Sequence, residues 1–143
     1  MELHKGIIEN NNLEDAINYV GHELTIIQIV FLMKCLGPDF IEIDNNIYIL
    51  SYYKDYGSSI NRFDNSKEGK EKYINNLSIS DMFYFSNDGE FKNQTAQIEK
   101  GNYILEFWKM RLQYLFTDKT FEFILYEEGL FDESGVCITF YSN

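Results

Sequence analysis

His4 and His22 are the only imidazoles in the chain, so a nucleophile activated by a histidine base would have to use one of them. His4 falls in the first few residues. His22 follows in a helix-prone stretch beside Glu23, with no partner at the sequence level. Acid/base work by paired carboxylates is open to any chain with 23 acidic residues, and that abundance makes each single pair uninformative. Gly57-Ser58-Ser59 resembles a fragment of a phosphate-cradling loop. Neither G-x-x-x-x-G-K-[S/T] nor G-x-G-x-x-G occurs, however, and a turn is the simpler reading. Cys35 and Cys137 stand alone, without C-x-x-C spacing or a neighbouring histidine, so two buried, reduced thiols are expected rather than a zinc or redox site. The D-x-D-x-D-G spacing of a calcium loop is missing. No cofactor and no metal are expected, and the chain reads as a binding protein, not an enzyme.

Binding chemistry is better represented. Glu127, Glu128, Asp132 and Glu133 surround the apolar pair Leu130-Phe131. Acids can steer an encounter while a small apolar anchor supplies the lasting contact. The competing reading is a solvated loop whose Leu130 and Phe131 fold back onto the core. A second cluster gathers Tyr48, Tyr52, Tyr53 and Tyr56 with Glu42, Asp44 and Asp55. Tyrosines offer large, rigid, amphipathic contacts at interfaces, although with 11 in the chain several must be core. The expected partner surface is therefore the acidic loop together with Glu42, Asp44, Tyr52, Asp55 and Tyr56.

The elements that must position these groups follow from periodicity. Leu13, Ile17, Val20, Leu24, Ile27 and Phe31 predict an amphipathic helix over residues 13–36, capped at Asn12, stopped by Gly37-Pro38 and open to a break at Gly21. Its apolar stretch from Leu24 to Leu36 is too short to span a membrane and reads as core. Residues 40–43 and 47–53 flank the turn cluster Asp44-Asn45-Asn46 and predict a hairpin. Residues 54–65 read as a polar loop, and Ser66 caps a short, charged, mostly solvated helix through Leu77. Residues 79–85 read as a strand before a tight turn at Asn87-Asp88-Gly89. Ile98, Leu105, Trp108, Leu112 and Leu115 mark a second long helix over residues 96–116, with Gly101 its weak point and Trp108 in the core. Residues 121–126 and 136–141 predict a last antiparallel pair. Without linkers, repeats or βαβ units, the expectation is α+β: a single domain over residues 1–143, in which an antiparallel sheet of about four to five strands packs against two long helices.

The 143 residues include 17% aromatics and carry a formal net charge of −11. Such a field repels nucleic acid and anionic lipid, so neither nucleic acid nor membrane is an expected partner, and it favours fast capture of a cationic protein. The start Met1-Glu2-Leu3-His4-Lys5 lacks the basic and apolar regions of an export signal, and a cytoplasmic location is expected.

The run Leu105-Glu106-Phe107-Trp108-Lys109-Met110-Arg111-Leu112, then Phe116, Thr120-Phe121-Glu122-Phe123 and a last strand ending Phe140-Tyr141, gives a helix-then-hairpin order over the last third of the chain. In general type it resembles the immunity proteins of bacterial toxin systems, including contact-dependent inhibition and other polymorphic toxins. The resemblance implies a cytoplasmic α+β protein without catalytic residues that binds a cognate basic toxin domain, such as a nuclease, and occludes its active site. It transfers no individual site residue. The alternatives are a small enzyme or ligand-binding domain with a pocket between sheet and helix, and an acidic mimic of nucleic acid.

Overall fold

The computed structural model describes residues 13–84 and 89–143; His4, the expected cap at Asn12 and the turn signal at Asn87-Asp88 lie outside them. The chain divides into two compact units, Met1–Cys35 and Leu36–Asn143. The class is α+β, but the predicted single sheet and two helices are corrected to a two-stranded sheet, a three-stranded sheet and six α-helices among the described residues.

In the first unit the predicted single helix is two, α1 (Leu13–Glu23) and α2 (Ile26–Leu36). The break comes at Thr25, not Gly21. Gln28 N–H donates to Thr25 Oγ1 (3.3 Å) and Thr25 N–H donates to Gln28 Oε1 (2.8 Å), a reciprocal capping box that starts α2 afresh. The expectation of a core helix fails here. No residue of α2 is buried, and Ile26, Ile27, Phe31 and Met33 are all exposed.

The second unit opens with the predicted hairpin, β1 (Phe40–Ile43) paired antiparallel with β2 (Asn46–Ile49). Asp44 and Asn45 both take positive φ (51° and 65°), as a tight two-residue hairpin turn requires. The second arm is shorter than predicted, because the chain turns at Leu50 into α3 (Leu50–Tyr56), and residues 57–59 add one 3-10 turn. Tyr53 stacks on Tyr48 with ring centroids 5.0 Å apart, a contact that the helical turn makes possible.

Ser66 caps α4 (Lys67–Ile74) by accepting from Gly69 N–H at 3.0 Å. The helix is not the solvated element its charges predict. Lys67, Glu71 and Asn75 fall at i, i+4 and i+8 and together address the open edges of two sheets. Strand β3 (Leu77–Ser78) covers one edge of β5 (Cys137–Ser142) at residues 137 and 138 only, while β4 (Phe121–Tyr126) pairs along the other edge. Where β3 stops, α4 takes over. Glu71, fully buried, accepts from Ile47 N–H (2.5 Å), Ser142 N–H (2.7 Å) and the Ser142 hydroxyl (2.7 Å). Asn75 accepts from Ile49 N–H (2.8 Å) and donates to the carbonyls of Ile47 (2.8 Å) and Phe140 (3.4 Å). Lys67 Nζ donates to Ser142 O (2.7 Å) and Oγ (2.8 Å). Side chains thus stand where a continuous ladder between β2 and β5 would otherwise run.

Residues 79–85, predicted as strand, instead begin a short helix α5 (Ile79–Met82). The second long helix is as predicted, α6 (Gln94–Leu115), with Trp108 1% exposed in the core. Gly101 lies inside the helix at a close contact with the sheet, where a Cβ would sit 3.0 Å from Leu125 Cδ1 and 3.1 Å from Ile138 Cγ2, so those side chains would have to give by a few tenths of an ångström. Thr139, the residue after Ile138, donates its hydroxyl to Lys72 O (2.9 Å). Alternation along β5 therefore places α6 on one face and α4 on the other. Cys137 is buried and Cys35 partly so, and neither is in a disulfide.

Glu71→Ala would leave two N–H groups and a hydroxyl unpaired in the interior and is expected to lower stability by about 3–5 kcal/mol in urea unfolding. Glu71→Gln should also destabilise, because an amide NH2 must face one of three converging donors. Tyr48, 1% exposed, has its phenol pushed up to about 12 from 10.0 by burial first, then by the charges of Glu71, Tyr53 and Asp44. A raised folded-state value stabilises fully below the unfolded one. This contribution should fade as pH rises from 10 to 12, and Tyr48→Phe should flatten that part of the alkaline unfolding profile.

Candidate binding cleft

Ser78 caps α5 by accepting from Asp81 N–H (3.1 Å), which sets Asp81 at the mouth of a cleft of about 670 Å³ in the second unit. Tyr52 and Tyr56, one helical turn apart on α3, form another part of its lining, their rings 6.1 Å apart. Phe131, Asp132 and Glu133 reach the same cleft from the far end of the chain, and Arg62 from the loop after α3. The two clusters recognised in the sequence as separate thus meet. Five of the expected partner-binding residues, Tyr52, Tyr56, Phe131, Asp132 and Glu133, line one concave surface.

The turn that carries three of them is tightly built. Leu130 N–H donates to Glu133 O and Glu133 N–H to Leu130 O, each at 3.1 Å. Phe131 takes φ 56° at the first central position, a place normally held by glycine, at a cost of about 1–3 kcal/mol. Aromatic packing offsets that cost. The Phe131 ring lies 4.7 Å from Phe63 and 5.6 Å from Tyr73, and Asn76 Nδ2 donates to Leu130 O (3.3 Å). Leu130 and Phe131 are accordingly half-buried, as in the fold-back reading of this loop, yet Phe131 still lines the cleft.

The polar groups are distributed unevenly. Arg62 holds Asp132 at 2.8 Å while its guanidinium lies 5.0 Å over the Phe63 ring. Asp81 and Glu133 make no ion pair with Lys or Arg among the described residues. Hydrogen bonding of the Glu133 carboxyl to Asp81, which accepts, holds Glu133 above its ordinary value, and partial burial and the charges of Asp81 and Asp132 push the same way. Asn76 Oδ1, also on the lining, is screened from solvent and accepts no hydrogen bond.

The remaining expected residues lie off the cleft lining. Glu42 pairs with Lys119 Nζ (3.0 Å), and Asp44 lies in the β1-β2 turn beside a smaller hollow. Asp55, Glu127 and Glu128 are exposed. Sequence reasoning missed Arg62, Tyr73, Asn76 and Asp81. Only Asp81 had a readable signal, the S-x-x-D cap of Ser78 and Asp81. His22 is exposed on α1, and no group of three or more His, Cys, Asp or Glu among the described residues could hold a metal ion. No helix among them is long and apolar enough to cross a membrane. Neither a family model, nor a curated protein, nor a solved structure matches the chain.

Carboxyl-carbon NMR should find Glu133 titrating above the ordinary glutamate value and moving back down in Asp81→Ala. Because the shift is upward, Glu133 favours the folded state at acid pH and loses that contribution as pH rises through its folded value.

Proposed function

We propose that this chain is an immunity-type binding protein that captures a basic toxin domain and blocks it by occlusion. The observation that carries the reading is the meeting in one cleft of Tyr52 and Tyr56 with Phe131, Asp132 and Glu133. These are aromatic and acidic groups of the kind that anchor and steer a protein partner. The formal charge of −11 supports the same reading, since it favours a cationic partner and works against nucleic acid. A second reading is a pocket for a small ligand. It is favoured by the volume of the cleft, about 670 Å³, within the usual range for such sites, and by its Asp81–Glu133 pair.

The test is capture at low salt from the source cells, followed by co-expression of the captured domain with and without this chain. A basic domain that is released by salt, toxic alone and tolerated in the presence of this chain is the expected result. Replacing Glu127, Glu128, Asp132 and Glu133 by their amides should slow association by roughly tenfold or more. If that variant associates at the wild-type rate, the acidic loop is not the steering face. If only small molecules are retained, the pocket reading takes over.

A further inference from the structure

We propose that the cleft is the anchor site for one arginine side chain of the partner, its guanidinium received by Asp81 and Glu133 and its flat face laid against Tyr52 and Phe131. The inference rests on the binding reading above and narrows it to a single side chain.

Three features of the cleft select this occupant. The first is a pair of carboxyls without a cation. Arg62 pairs with Asp132, while Asp81 and Glu133, both on the lining of this cleft, make no ion pair with Lys or Arg among the described residues. Two adjacent carboxyls disfavour joint ionisation, and an entering cation removes that penalty. The second is an internal precedent. Arg62 already shows a guanidinium held at once by a carboxylate at 2.8 Å and an aromatic ring at 5.0 Å on the border of this cleft. The third is the choice among cations. No cluster of three or more ligating side chains among the described residues favours a metal ion, and an ammonium, as a point charge, has no planar face to stack on the rings and no fork of donors for two carboxyls. A guanidinium brings a planar face for the rings and a fork of donors for two carboxyls.

The probe is Nα-acetyl-L-arginine methylamide, titrated into the isotope-labelled full chain, with its citrulline counterpart as the neutral isostere. The arginine amide should shift the resonances of Asp81, Phe131 and Glu133 and bind about tenfold or more tightly than the citrulline compound. The double variant Asp81→Asn/Glu133→Gln, whose exposed side chains leave the core untouched, should abolish the difference. Equal binding of the two amides, shifts mapping elsewhere, or full arginine binding to the double variant would each overturn the proposal. A captured basic domain that binds the double variant as tightly as wild type removes the arginine anchor and leaves the binding reading standing. Arginine-selective binding without any basic protein partner keeps the anchor chemistry and removes the immunity reading.

Discussion

A carboxylate buried without direct contact to a cation is costly, since the net penalty for removing such a charge from water is several kcal/mol even after relaxation. Glu71 meets this cost with three donors and with Lys67, whose ammonium donates to the same Ser142 hydroxyl that Glu71 accepts from. The arrangement places constraints on distant parts of the second unit. The β1-β2 hairpin is attached at Ile47, the C-terminal strand at Ser142, and both through one helical face. Two short sheets that do not pair with each other are thereby fixed relative to α4, and Asn75 repeats the arrangement one turn later at Ile47, Ile49 and Phe140. Backbone groups at both open edges are satisfied by side chains, as buried peptide groups require.

The same helix reaches the cleft. Glu71 and Asn75 point toward the strand edges, while Tyr73 packs on Phe63 and Phe131, and Asn76, just past the helix, donates to the Leu130 carbonyl. Any movement of α4 would therefore disturb the strand junction and the Phe131 turn together. Asp81 joins the assembly through the short run from Asn75 to the Ser78 cap, and Val136 N–H donates to Ser80 Oγ (2.9 Å), which ties the other end of the Phe131 loop to α5. Tyr73, Asn76 and Asp81 of the cleft lining thus belong to one connected segment.

The parts that were legible in the sequence are those in which local pattern and tertiary demand agree. The 3.6-residue spacing through Leu105, Trp108 and Leu112 gave α6, and alternating apolar runs around turn residues gave both hairpins. The errors came where a distant partner decides. Tyr52 and Tyr53 have strand propensity, yet they are helical, with Tyr53 stacked on Tyr48 and Tyr52 beside Tyr56. Lys67, Glu71 and Asn75 have the look of a solvated face, and only Ser142, Ile47 and Phe140 turn that face inward. Apolar periodicity in α2 says nothing about what covers it, and exposed Ile26 and Phe31 show the difference. Of the cleft, the sequence supplied Tyr52 and Tyr56, and Phe131, Asp132 and Glu133, as two separate groups, without Tyr73 or Asp81. Their meeting depends on long-range packing that no local spacing encodes.

The strained turn at Phe131 bears on how such a cleft binds. A positive φ at a bulky residue persists only when its surroundings over-determine it, and here Phe63, Tyr73 and the Asn76 amide do so. The aromatic wall is consequently set before a partner arrives. On the proposed binding reading, association would then spend less of its interaction energy on ordering the loop, because pre-organised side chains lose little further freedom. On the proposed binding reading, the exposed acids Glu127 and Glu128, which lie off the cleft lining, would serve long-range attraction, whereas Asp81, Glu133 and Phe131 would serve contact. Separating the two proposed roles would let encounter rate respond to salt while the strength of the final contact depended on a few fixed groups.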